Sequence, residues 1–253
     1  MTVSVRPLEQ ADLGPADRIF RLAFGTFLGL PDPSTFRGDV DLVNTRWTAD
    51  ASATLGAFID GELVGSNFAA NWGSFGFFGP LTVRPDLWDR GVATRLVEAT
   101  MKRFEAWGTR HTALFTFPHS PKHIGLYQKF GFWPQFLTAL MSKASEAPDV
   151  AGDWSSCSGM SQDDQRVWIA RGSELTGSIF PGLDLSREIQ AVNTQGLGET
   201  IFLRDDDTLI GLAVCHMGKG TEAGDGATYV KFAAVRPGAG APERFDRLLS
   251  VCE

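Results

Sequence analysis

At 253 residues, 43% hydrophobic and 21% charged, the chain can bury a substantial core, and its length falls between one large domain and two ordinary ones. Its net charge of -7 argues against a nucleic-acid partner, whose phosphates would be repelled over most of the surface. No apolar run approaches the roughly 18 residues of a membrane helix, so no membrane partner is implied and the sequence reads as cytoplasmic. Cys157, Cys215 and Cys252 are odd in number and widely spaced, which indicates neither a disulfide framework nor a cysteine zinc site, and no metal is expected.

In chain order, Val3 to Arg6 reads as a short strand. A helix follows, with Leu13, Ala16, Phe20, Ala23, Phe24 and Phe27 at a period near 3.6. The segment Leu28 to Phe36 reads as a candidate lid. Ala57 to Gly65 reads as a hairpin turning at Asp60-Gly61, since that pair accepts positive φ. The aromatics Trp72, Phe75, Phe77 and Phe78 fit either a lid or sheet packing. A strand ends at Val83 and breaks at Pro85. Next comes a helix from about Asp89 to Trp107, carrying Ala93, Val97, Thr100, Met101, Phe104 and Trp107 on one face. A strand Thr112 to Phe117, a short helix through Tyr127 and a strand Gln135 to Met141 complete the first half. This order predicts a mixed α/β (α+β) fold with a mostly antiparallel central sheet and flanking helices.

Residues 144 to 161 are small and turn-forming, as expected of a connection, which gives domains at 1–145 and 146–253. Beyond the connection the pattern repeats. Phe202 to Gly211 reads as a second hairpin, and Leu81-Thr-Val-Arg-Pro85 is matched by Ala233-Ala-Val-Arg-Pro237, 152 residues later. At that offset Glu243 and Phe245 stand where the first copy has Gly91 and Ala93. The second copy is therefore expected to be degenerate, and truncated as well, because it stops before any counterpart of Tyr127. Charge divides unevenly, +1 up to Ser145 and -8 from Glu146 onward.

Leu81 to Arg95 carries the most specific chemistry. A strand that breaks into a helix presents unpaired backbone N–H groups to an anion, worth about 0.3–1 kcal/mol from the helix dipole. Gly91 and Ala93 keep the backbone approachable, and Arg90 and Arg95 add positive charge. The segment resembles the acetyl-CoA motif of the GNAT superfamily of N-acetyltransferases, whose frame falls on Trp88, Asp89, Arg90, Gly91, Val92 and Ala93. Trp88 stands where Gln or Arg is usual, and Asp89 where a second glycine is common. The element Ser120 to Phe132 is similar to the second family motif, with Tyr127, Gly131 and Phe132 as expected, Ser120 at an Asn position and His123 at an Ala position.

The resemblance implies tandem GNAT-like domains with acetyl-CoA as co-substrate. The backbone of Leu81, Thr82 and Val83 would pair with its pantetheine arm, and the loop from Trp88 through Thr94 and Arg95 would hold its pyrophosphate, with Ser120 and His123 close by. Tyr127 is the implied general acid for the departing thiolate, a core tyrosine bonded to backbone being the alternative. His119 and His123 titrate in the range of a base, but no base is assigned. The expected activity is transfer of an acetyl group to a small-molecule or peptide amine, cationic to suit the acidic surplus. A non-catalytic acyl-CoA-binding regulatory module is the alternative, and homo-oligomerisation is left open.

Overall fold

Residues 2–145 and 153–253 are described by a computed structural model, in which the chain forms a mixed α/β fold with two sheets. Two compact units emerge. The first comprises Met1–Phe36, Asp50–Asn71 and Gly76–Lys143; the second comprises Arg37–Ala49, Trp72–Phe75 and Ala144–Glu253. Residues 146–152, where the boundary between halves is read, lie outside the described residues.

The chain opens with β1 (Ser4–Pro7) and α1 (Leu13–Phe27), whose Leu13, Ala16, Ile19, Phe20 and Ala23 are buried, as the helical period requires. After α1 the chain is pinned back onto it, with Phe36 stacked on Phe24 at 5.3 Å and the Phe36 carbonyl accepting from Arg21 at 2.8 Å. A short helix α2 (Val43–Ala49) lies in the second unit. Next come β2 (Thr54–Ile59), β3 (Glu62–Trp72) and β4 (Phe75–Val83). The β2–β3 turn is closed by Asp60 and Gly61, both at positive φ, with Ile59 opposite Glu62. Helix α3 (Val92–Trp107) and strand β5 (His111–Ala113) follow, then α4 (Pro121–Gln128). The first sheet has the order β1-β2-β3-β4-β5.

Three expectations need correction. The helix expected from Asp89 begins at Val92, because Asp89 and Gly91 both take positive φ and break the helical path. The strand expected over Thr112 to Phe117 is reduced to β5, and the chain leaves the sheet after Ala113. Gln135 to Met141 forms no strand; Phe136, Leu137, Leu140 and Met141 are exposed, and alternation of apolar residues makes a strand only where a neighbour supplies hydrogen bonds.

The second unit holds β6 (Trp154–Ser156), α5 (Gln162–Ile179), α6 (Ser186–Gln195), β7 (Gly198–Asp205), β8 (Thr208–Gly218), β9 (Gly224–Val235) and α7 (Ala241–Val251). Its sheet is antiparallel throughout, in the order β6-β7-β8-β9. Strand β6 falls inside the segment expected to be a connection. Trp72 and Phe75 pack in this unit against Phe232 and Phe180, whereas Phe78 packs in the first against Phe104, and Phe77 meets the exposed Phe115.

A buried charge cluster also belongs to the second unit. Glu222 is gripped by Arg46 of α2, Nε to Oε1 at 2.9 Å and Nη2 to Oε2 at 2.7 Å, and accepts from Lys231 Nζ at 2.9 Å. Lys231 also pairs with Glu188 at 2.5 Å, and the Trp72 indole donates to Glu188 at 3.1 Å. Beside them, His216 Nδ1 accepts from the Glu222 backbone N–H at 3.3 Å, while its buried Nε2 has no partner among the described residues.

Candidate functional site

The end of β4 is held close to β3 because Gly65 has no side chain there; a Cβ would sit 2.6 Å from the Thr82 carbonyl oxygen. Thr82 is buried and its hydroxyl meets that of Ser66 at 3.1 Å, so only its backbone is left to engage a ligand. The chain then passes through a 3-10 turn at Pro85–Leu87 and reaches Gly91 at φ +80°, which N-caps α3. Glycine gives no capping side chain, and the first turn of α3 carries no acid. The leading N–H groups of α3 are thus available to an outside acceptor, and an anion is what they favour. Arg90 is exposed beside them, and Arg95 forms an exposed pair with Glu98 at 3.0 Å.

The two residues that depart from the family motif have local roles. Trp88 turns its indole inward and donates to the Val83 carbonyl at 2.8 Å, packing on the cluster that contains Val83, Val92 and Leu96. Asp89 pairs with Lys122 of α4 at 2.6 Å, and the same ammonium lies 5.7 Å from the Trp88 ring. Lys122 therefore offsets the negative charge that Asp89 places near α3. Lys122 is not legible in the sequence, since a lysine in a loop-to-helix junction has no distinguishing pattern.

Ser120 N-caps α4 and its hydroxyl accepts from the His123 backbone N–H at 3.4 Å, so it is committed to its own helix. Tyr127 lies on α4 with its ring edge-on to Phe78 at 5.9 Å and Phe132 at 6.4 Å. Its hydroxyl has no hydrogen-bond partner among the described residues, unlike a core tyrosine tied to backbone. Burial pushes the phenol up to about 12, so it is protonated across the working pH range. His123, one turn earlier, packs on Phe27 at 4.9 Å; burial, then Lys122 and His119, hold its imidazole below the usual range.

The model of the acetyltransferase (GNAT) family matches residues 18–132, a span that contains both motifs and every residue just described around α3 and α4. This part of the chain is a GNAT acetyltransferase domain. No curated protein matches the chain. Among solved structures, a proposed acetyltransferase from Pyrococcus horikoshii is 16% identical, with a TM-score of 0.55, over 86% of this chain and 69% of its own; the likeness is one of fold. The PaiA N-acetyltransferase of Thermoplasma acidophilum, solved with coenzyme A, is 20% identical over 53% of this chain and 92% of its own, with a TM-score of 0.47. The ribosomal-protein-S18-alanine N-acetyltransferase of Escherichia coli is 17% identical over 51% and 77%, with a TM-score of 0.41.

Outside the GNAT domain, the β9–α7 junction offers a comparison. From Val83 to the cap at Gly91 is eight residues, but Val235 leads to a cap at Gly240 after five, and both glycines are left-handed. Gly240, not Glu243, therefore holds the left-handed cap before α7, as Gly91 does before α3, because this loop is three residues shorter. Pro242 removes one N–H donor from the first turn of α7, and Glu243 puts a carboxylate there. Arg244 folds back onto the loop, donating to the carbonyls of Ala239 at 3.0 Å and Arg236 at 2.7 Å. This end is poorly suited to a pyrophosphate. Among the described residues no group of three His, Cys, Asp or Glu could hold a metal, and no helix is long and apolar enough to cross a membrane.

Proposed function

We propose that the chain is an acetyl-CoA-dependent N-acetyltransferase in which the GNAT domain holds the co-substrate and acetylates an amine by direct attack on the thioester. The donor set suits coenzyme A. Phosphate oxygens would accept from the uncapped N–H groups at the start of α3, with Arg90 and Arg95 adding charge, and the backbone at the end of β4 would pair with the amide-bearing arm. When bound, acetyl-CoA supplies an activated acetyl group. Tyr127 carries the reading: a protonated phenol, one helix away from that loop, with no group among the described residues claiming its hydroxyl. A phenol near 12 is a weaker acid than a thiol near 8.5, so full transfer to a free thiolate is uphill by more than three pKa units. Tyr127 accordingly acts by hydrogen-bonding sulfur as negative charge develops there and releasing its proton only as the C–S bond breaks.

The second unit, acidic and with α7 unsuited to pyrophosphate, reads as a degenerate relative of the first that does no transfer itself. A cationic amine is the acceptor that its charge favours.

Replacing Tyr127 by Phe is expected to lower turnover by about 10- to 1,000-fold while leaving the acetyl-CoA Kd within about threefold, measured by thiol release and by calorimetric titration. Unchanged turnover removes Tyr127 from the mechanism. A second reading, a non-catalytic acyl-CoA-binding module, is favoured by the Trp88 indole on the Val83 carbonyl, which occupies one backbone acceptor at the strand end. Binding without thiol release across a panel of amines would select it.

A further inference from the structure

Resting on the acetyltransferase reading above, we propose that His123 accepts the proton of the acceptor ammonium, and that the acceptor lies between α4 and an aromatic wall on α1. His123 and Tyr127 are spaced i and i+4 on α4, so they share a face with Cβ atoms about 5–6 Å apart. A nucleophile working on a thioester beside Tyr127 is thus within reach of the imidazole.

The surroundings keep that imidazole available. Its ring packs on Phe27 of α1 at 4.9 Å and Phe117 at 6.5 Å, and neither ring nitrogen has a hydrogen bond among the described residues. The charged and titratable groups around it are Lys122, itself paired with Asp89, and His119, which stacks on Phe27 at 5.9 Å. Among the described residues no carboxylate faces the ring to hold it protonated; burial, then Lys122 and His119, favour the neutral base. Strand β4, across from Tyr127, carries no carboxylate that could serve instead. His119 is exposed and lies in the loop before α4, off the Tyr127 face. The wall of Phe24, Phe27, Phe36 and Phe117, linked ring to ring, offers π-faces that attract a cationic amine before it is deprotonated.

The protons balance. One leaves the ammonium for a ring nitrogen of His123 and passes to solvent. The freed nitrogen lone pair forms the C–N bond at the acetyl carbonyl carbon, and the C–S bonding pair departs with sulfur. Tyr127 gives sulfur its proton and is restored by the second proton lost from nitrogen, so the products are an amide and a thiol.

The test compares two acceptors at pH 7.5: ethylamine, which is almost wholly protonated, and hydroxylamine, which is already largely neutral. With His123→Ala, kcat/KM for ethylamine is expected to fall by about 100-fold and to recover in part with added imidazole. For hydroxylamine, at saturating acetyl-CoA, it should stay within about threefold. If the alanine variant does not bind acetyl-CoA, His123→Gln carries the same comparison. Equal losses for both amines, or no loss for either, overturn the role of His123 while leaving the acetyltransferase reading in place. A wild-type chain that binds acetyl-CoA yet releases no thiol with these two amines or any other of the panel overturns that reading and the role of His123 with it.

Discussion

Gly91 stands at φ +80° with nothing within 4 Å of where a Cβ would be, so a side chain there meets backbone strain but no collision. Gly91→Ala should cost roughly 1 kcal/mol, read from a urea midpoint, and weaken acetyl-CoA binding modestly. Gly91→Glu bears the same strain and adds a carboxylate at the start of α3, where it takes the N–H groups for itself; calorimetry should then find no binding. If affinity survives the glutamate, the anion site lies elsewhere. Gly91 is legible in the sequence because glycine is the residue that takes a left-handed cap at least cost. It made Tyr127 visible through its spacing to Gly131 and Phe132. Lys122 and the inward turn of Trp88 were hidden, since each depends on which groups the fold brings next to them and neither leaves a spacing to read.

Among the elements, α2, α6, β8 and β9 meet at the most unusual feature, where Arg46, Glu188, Lys231 and Glu222 of the β8–β9 connection close into one cluster with His216 beside them. Burial, reinforced by Lys231, pushes His216 down to about 4. Below about 6.5 the unfolded chain binds a proton that the folded ring refuses until about pH 4, so stability is full above that window and falls as pH drops through it, by roughly 3 kcal/mol. Urea midpoints measured from pH 7.5 to 4 should show this decline, and His216→Gln should flatten it; an equal decline in the variant would assign the effect to the carboxylates alone. The Val-Arg-Pro tripeptide is legible as a strand end in both places, since β4 and β9 each close at its valine. The shorter loop before α7 is not legible from that tripeptide, since a fixed offset cannot register a change in loop length. The apolar run from Gln135 to Met141 misled for a different reason: strand pattern is a property of the segment, whereas strand formation needs a neighbour.

On the scale of the whole molecule, the two halves of the sequence are not the two units. Arg37–Ala49 and Trp72–Phe75 are numbered with the first half and fold with the second, which neither composition nor periodicity could disclose because the pairing of Arg46 with Glu222 spans 176 residues. A fragment of residues 146–253 would leave Glu222 without its guanidinium and Glu188 without its indole partner. Breaking a buried pair in this way costs about 3–5 kcal/mol, a large part of a small domain's stability. The fragment alone should therefore show a broad or absent urea transition by circular dichroism, and adding a peptide of residues 37–49 should sharpen it; a cooperative transition matching the intact chain would contradict the assignment. Synthesis on the ribosome adds a clock to this arrangement. At about 5–20 residues per second, Arg46 emerges roughly 10 to 35 s before Glu222, an interval in which α2 has no seat while the strands and helices around Tyr127 can already assemble.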